Sequence, residues 1–84
     1  MIQLIEGKKY EISWVDIVHT NEWVSFDEVD KEIEDARRPI IILGTFIKET
    51  DDVYVFSSGV DENLEQYFDL VVIPKGVVKK IKKI

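Results

Sequence analysis

Short runs of β-branched and aromatic residues, separated by turn residues, limit most strongly what this chain can fold into. The chain contains twelve Ile, eleven Val, four Phe, three Tyr and two Trp among its 84 residues. These residue types suit the pleated, half-buried surface of a β-sheet better than they suit a helix. The sequence therefore predicts a mainly β protein.

Five segments have the composition and length of strands. Residues 9–19 alternate between two faces and predict a long first strand. Further strands are predicted over residues 40–48, 53–58, 67–73 and 77–84. The second and third strands form a hairpin across four polar residues, whereas residues 59–66 form a polar, acidic connection. Gly44, within the second strand, indicates a bend or bulge.

One segment between the first two strands has a helical period instead. Ser25 and Glu28 fit a capping box, in which the serine oxygen accepts a backbone amide and the glutamate reaches back. Apolar residues follow with the spacing of one helical face, at Phe26, Val29, Ile33 and Ala36. Pro39 ends the pattern. We predict a helix over residues 26–37.

The order of these elements predicts a small SH3-like or Sm-like barrel of about five strands. The helix is inserted between strands 1 and 2, and residues 74–76 form a tight break before the last strand. A flat sheet with the helix packed across one face is the rival architecture. The length allows one domain, spanning residues 1–84.

The residue inventory argues against catalysis and against bound cofactors or metals. The chain has no cysteine and one histidine, His19, so neither the usual zinc ligand sets nor a catalytic triad can be assembled from it. The paired acids at residues 51–52 and 61–62 stand in predicted turns, where Asp is favoured for local hydrogen bonding. We expect a non-enzymatic protein.

Two further observations concern location. No stretch approaches the roughly 20 apolar residues that a membrane-spanning helix needs. The first residues also lack the basic flank and long apolar run of a signal peptide. A cytoplasmic protein is expected.

The charge is distributed unevenly along the chain. The formal net charge is −6, yet residues 75–84 contain five lysines and no acid, namely Lys75, Lys79, Lys80, Lys82 and Lys83. These lysines are interpreted either as a phosphate-contacting edge or as solubilising charges that discourage edge-to-edge pairing of a terminal strand. The second interpretation is favoured, because the rest of the chain is acidic and no aromatic residue stands among the lysines to stack on bases.

Seven acids and a single lysine lie between residues 22 and 35. Asp27, Asp30 and Glu34 are the candidate partner contacts on this helix, although an acidic helix face is often simply solvated. Trp23 precedes the helix, where it acts either as a hydrophobic staple on the helix, which is favoured, or as an exposed anchor for a partner.

The first predicted strand carries the second tryptophan, Trp14, which is assigned to the core. Asp16 shares its strand face, and we expect its carboxylate to accept backbone amides of the loop near Trp23.

The pattern formed by several of these residues is similar to a known group of proteins. Its parts are Trp14-x-Asp16, Trp23, residues 25–28, Leu43-Gly44 and residues 72–81. The chain resembles small phage- and prophage-encoded proteins of unknown function, which share a Trp-x-Asp strand, a loop Trp and a closing Ile-Pro-Lys segment. The closing segment is also similar to the last two strands of Sm-like proteins, in which Lys75-Gly76 would correspond to a pair that holds RNA.

Two functions follow as expectations. The first is a non-enzymatic protein-interaction module of viral or mobile-element origin, with an assembly or host-directed role, in the host cytoplasm if viral. It would bind a viral or host protein, or itself, through a barrel edge or the acidic helix face. The alternative is a weak Sm-like binder of single-stranded nucleic acid that uses the C-terminal lysines.

Overall fold

One antiparallel sheet of five strands dominates the computed structural model, which describes residues 3–17, 19 and 21–84. The elements are β1 (Lys9–Trp14), α1 (Glu28–Ala36), β2 (Ile40–Glu49), β3 (Val53–Asp61), β4 (Gln66–Pro74), a 3-10 turn (Lys75–Val77) and β5 (Val78–Lys83). The strand order across the sheet is β4-β3-β2-β1-β5. A mainly β fold with one helix between strands 1 and 2 is therefore confirmed. The sheet is not closed, since β4 and β5 are its two edges, and the barrel stays a prediction.

The first strand is shorter than its alternating sequence indicates. β1 ends at Trp14, where its pairing with β5 shifts register between Ser13 and Trp14. The next amide, that of Val15, donates to the carbonyl of Val77 at 3.0 Å and so leaves the regular ladder. The prediction of a strand continuing over residues 15–17 is wrong, and Val18 lies outside the described residues.

The connection between β3 and β4 is also shorter than predicted. β3 continues to Asp61 and β4 begins at Gln66, so the two strands form a hairpin. Asp61 Oδ1 accepts the backbone amides of Asn63 and Leu64 at 3.0 and 3.1 Å, which is the local bonding that favours Asp in turns. Residues 59–66, predicted as a polar connection, thus form the exposed end of a hairpin.

The core lies on one face of the sheet. Its buried members are Tyr10, Ile12, Phe46, Phe56 and Ile73, and half-buried side chains including Trp14 pack around them. The rings of Phe46 and Phe56 meet edge to face with centroids 5.6 Å apart, a favoured aromatic geometry. The assignment of Trp14 to the core is confirmed.

Gly44 brings β2 close to this core. A Cβ atom at that position would lie 3.1 Å from the Cβ of Phe56, which is tighter than ordinary packing allows. The register shift between β2 and β3 occurs later, between Phe46 and Lys48. The predicted bulge at Gly44 is therefore displaced along the strand, and Gly44 serves close packing instead.

The turn between β2 and β3 is held by several polar contacts. Thr50 Oγ1 accepts the backbone amides of Asp52 and Val53, each at 3.2 Å. The backbone amide of Lys75 donates to the carbonyl of Asp52 at 2.8 Å, and the Nζ atom of Lys75 lies 2.6 Å from Glu49 Oε2. These bonds attach the 3-10 turn to the β2–β3 hairpin and stabilise this end of the sheet.

The molecule is elongated for its size. Its radius of gyration is 16.0 Å and its principal extents are 53 × 30 × 23 Å. A compact domain of this length has a radius of gyration of about 12 Å. No residue of α1 is buried, and residues 58–70 of the β3–β4 hairpin are exposed except for the partly buried Gly59. Helix and hairpin therefore extend beyond the core and offer surface for contacts.

Candidate interaction surfaces

The start of α1 uses the serine that the sequence identifies as a cap. Ser25 Oγ and the Ser25 carbonyl both lie within hydrogen-bonding distance of the Glu28 amide, at 3.3 and 3.1 Å. The helix begins at Glu28, two residues later than predicted, because residues 26–27 form a turn. At the other end Arg37 and Arg38 approach acids one turn earlier on the helix.

The apolar side of α1 is uncovered. Phe26 is 97% exposed, and the stripe continues through the exposed side chains of Val29 and Ile33. A flat sheet with the helix packed across one face would require this stripe to contact the sheet. No residue of α1 is buried, so this packing is not found among the described residues. Trp23 is fully exposed, at 103%, so the favoured interpretation as a hydrophobic staple is wrong. We call Trp23, Phe26, Val29 and Ile33 the α1 surface.

Acidic side chains surround this stripe. The predicted contacts Asp27, Asp30 and Glu34 are all exposed. Glu34 lies 4.0 Å from Arg37, and both side chains are mostly exposed, so the pair is screened by water and salt. The α1 surface is thus apolar with a negatively charged border.

The five C-terminal lysines fall into two groups. Lys75 Nζ contacts Glu49 and lies 5.0 Å from the ring centroid of Tyr54. The hydrogen bond to Glu49 raises the pKa of the Lys75 ammonium above its ordinary value. This lysine therefore serves the fold. The other group, Lys79, Lys80, Lys82 and Lys83, is exposed on the edge strand β5.

A third surface, which is not among the sequence-based predictions, lies between β2 and β3. The two strands pair from Thr45 opposite Ser57 towards the turn, but not beyond Thr45 in the other direction. Residues 40–44 of β2 and 58–61 of β3 both continue as strands past this point. In the described chain these two stretches are not paired with each other. We call this opening, bounded by residues 40–44 and 58–61, the β2–β3 cleft.

Small polar side chains line the closed end of the cleft. Ser57 is 2% exposed, and its buried hydroxyl has no hydrogen-bond partner among the described residues. Ser58 Oγ donates to Asp69 Oδ2 at 2.8 Å, and Asp69 itself has a left-handed backbone with φ 57°. The run Ser57-Ser58-Gly59 inside a strand was the available signal, since small residues within strands often mark close approach of another backbone.

Three adjoining cavities share Ser57 and Ser58. Their volumes are about 230, 340 and 470 Å³. The smallest is lined on the core side by Ile42, Phe56 and Val71, together with Asp69. The two larger ones share Lys9 and Thr45. The cleft is therefore open to both faces of the sheet.

The remaining candidate residues, Asp16 and His19, are not part of the three surfaces defined above. Asp16 is exposed, and its Oδ1 accepts the adjacent amide of Ile17 at 2.8 Å, so the expected bonds to the loop near Trp23 are not the ones formed. His19 is exposed. In the part of the chain that the structure describes, no three His, Asp or Glu side chains group closely enough to hold a metal ion. None of the described helices has the length and apolarity to cross a membrane.

Comparison with known proteins gives no relative: no family model matches the chain, and neither a curated protein sequence nor a solved structure matches it. The geometry of the surfaces therefore carries the functional argument.

Proposed function

We propose that this protein is a non-enzymatic interaction module whose α1 surface binds a basic segment with an apolar face on a partner protein. The observation that carries the proposal is the uncovered apolar stripe of an otherwise regular helix. If the chain is of viral origin, as its resemblance implies, the partner is a virion or host protein.

Burial of the stripe supplies the affinity. Removing apolar surface from water yields about 25 cal/mol per Å². Trp23 and Phe26 are almost wholly exposed, so each can bury most of its side chain on binding. Trp is also enriched among the residues that dominate binding energies. An amphipathic helix that packs its apolar side into a partner is a recurring mode of recognition.

The charged border supplies the choice of partner. Asp27 and Asp30 are exposed beside the stripe, and Lys31 is the only base between residues 22 and 35. Complementary charge speeds association and disfavours partners of the same sign. A basic amphipathic segment meets both requirements, since it offers apolar contacts and opposite charge.

Calorimetric titration with a basic amphipathic helical peptide of Leu and Lys tests the proposal. We expect binding that weakens with salt, and at least tenfold weaker binding by the double variant Val29→Ser/Ile33→Ser. The matched control is Val60→Ser/Leu64→Ser, which removes two comparably exposed apolar side chains from the β3–β4 hairpin. Circular dichroism establishes that each variant is folded.

Three results would contradict the proposal. They are no binding of the basic peptide at low salt, equal binding of a Leu and Glu peptide, and equal binding by both double variants. Equal binding by both double variants would mean that the peptide binds exposed apolar residues in general and does not recognise the α1 surface.

The alternative, weak binding of single-stranded nucleic acid, rests on the four exposed lysines of β5. Ser13 and Glu11 of β1 pair directly with Lys80 and Lys82, so an acid stands beside one of these lysines. Each phosphate contact on a single strand should add about −0.7 to the slope of log K against log salt. A labelled oligonucleotide that does not bind at low salt would end this alternative, and Lys75→Gln should leave any binding unchanged.

A further inference from the structure

The β2–β3 cleft has the features of a binding site that is separate from the α1 surface. We propose that it accepts an extended segment of a partner protein as an added β-strand. The proposal goes beyond the interaction through α1, since it concerns another part of the molecule and another recognition chemistry.

Two strand edges face each other across the cleft and, among the described residues, are not paired with each other. Residues 40–44 of β2 pair with β1 on their other side, and residues 59–61 of β3 pair with β4 on theirs. Each strand therefore keeps one free row of backbone amides and carbonyls, and both rows point into the same opening. Free strand edges are templates for another strand, and the resulting main-chain bonds give affinity.

The cavities on the two faces of the sheet match the alternation of a strand. Successive side chains of an inserted strand point to opposite faces. On the core side they would meet the apolar lining formed by Ile42, Phe56 and Val71. On the outer side they would meet Lys9, Thr45 and Glu62 in the 470 Å³ cavity. The segment that fits therefore alternates apolar with polar residues.

Ser57 provides an independent indication. In the part of the chain that the structure describes, its hydroxyl is buried without a partner, at the residue where pairing between β2 and β3 ends. Buried polar side chains in proteins nearly always have a hydrogen-bond partner, and an orphan costs free energy. A peptide group entering the cleft supplies that partner.

The extended backbone required by the cleft, and not its charge, distinguishes this partner from the one proposed for α1. The lining holds both signs, with Lys9 on the outer side and Asp69 on the core side. Three acids, Glu6, Glu62 and Asp69, and one base, Lys9, line the three cavities, so the charge of the cleft is negative like that of the α1 surface. Backbone pairing and side-chain alternation, not net charge, define what binds.

The experiment uses a displayed library of random linear peptides, panned against the full chain, and synthesis of the enriched peptide for titration. We expect enriched sequences with alternating apolar and polar residues. We also expect that binding slows hydrogen exchange of amides within residues 40–44 and 58–61.

Two variants and their controls locate the binding. Ser58→Arg puts a long side chain into the cleft from an exposed position and should weaken binding at least tenfold. Asn21→Arg adds the same side chain to the loop before α1 and should leave it unchanged. Ser57→Ala should weaken binding without loss of thermal stability, and Val29→Ser/Ile33→Ser should bind normally, which separates this site from α1.

Several outcomes would overturn the proposal: no enriched peptide, or enriched peptides that bind equally to the Ser58→Arg variant. Exchange protection confined to residues outside the cleft would do the same. A dimer whose cleft amides are already protected without peptide would show that a second copy is the occupant, and would also overturn it.

Discussion

The two ends of the β2–β3 pair have opposite properties. Towards the turn, the strands are joined by a regular ladder, their aromatic side chains are buried, and the 3-10 turn is attached to them by Lys75. Towards the other end the ladder stops, a hydroxyl is buried without a partner, and cavities open on both faces. The same two strands thus provide the stable core at one end and a free binding edge at the other.

The largest expected effect compares a phenylalanine of the core with one on the exposed β3–β4 hairpin. Phe56 is fully buried in the core, whereas Phe68, on the β3–β4 hairpin, is 73% exposed. Phe56→Ala should lower the free energy of unfolding by about 3–5 kcal/mol, because it removes a large core side chain and leaves a cavity. Phe68→Ala should change it by about 0.5 kcal/mol, as surface substitutions do. Urea denaturation measures both, and equal losses would mean that the core and the hairpin contribute equally to stability.

A pair of glycines that both border the cleft compares a position packed on the core with a more open one, and the expected effect is smaller. Gly44→Ala places a methyl group 3.1 Å from the Cβ of buried Phe56, whereas Gly59→Ala meets Phe68 at an ordinary 3.7 Å. The first should destabilise by about 1–3 kcal/mol through overpacking. The second should stabilise by about 0.4–1 kcal/mol, because the unfolded chain loses freedom. Thermal unfolding of the two variants reports the signs, and the same sign for both would be contrary to this account.

The turn itself gives an intermediate effect. Thr50→Val keeps the shape of the side chain but removes the oxygen that accepts the amides of Asp52 and Val53. A loss of about 0.5–1.5 kcal/mol in unfolding free energy is expected for such bonds. Thr50→Ser retains the oxygen and serves as the control. If both variants lose the same amount, the hydrogen bonds do not hold the turn.

The smallest effect concerns Lys75 and its dependence on pH. The hydrogen bond to Glu49 raises the pKa of Lys75 in the folded protein above 10.5. The resulting stabilisation is fully present below pH 10.5 and is lost as the pH rises through the folded pKa. Wild type should therefore exceed Lys75→Gln in stability at neutral pH, and the difference should shrink above pH 10.5. A difference that is constant through this range would exclude the ion pair as its cause.

The strand and helix content could be predicted from the sequence because local patterns determine it. Ser25 and the spacing of Phe26, Val29 and Ile33 identify the helix, and four polar residues identify the β2–β3 turn. Such patterns indicate which side of a helix is apolar but not what covers it. The sequence alone therefore could not predict that the α1 surface is exposed.

The cleft was missed for a different physical reason. The apolar run over residues 40–43 is typical of a strand buried on both faces, yet Ile41 and Leu43 are exposed on the side opposite the core. The residue at which β2 separates from β3 depends on how segments distant in sequence pair with each other. Local composition does not encode that pairing. Only the small residues at positions 57–59 hint at it.

Hydrogen exchange of the free protein, followed residue by residue by NMR, tests the contrast between the two ends most directly. The account predicts that amides bonded between β2 and β3 within residues 45–49 and 53–57 exchange slowly. It also predicts that about every second amide within residues 40–44 and 58–61, the ones facing the cleft, exchanges rapidly. Uniformly slow exchange along both strands would show that β2 and β3 are paired throughout, and would contradict the cleft.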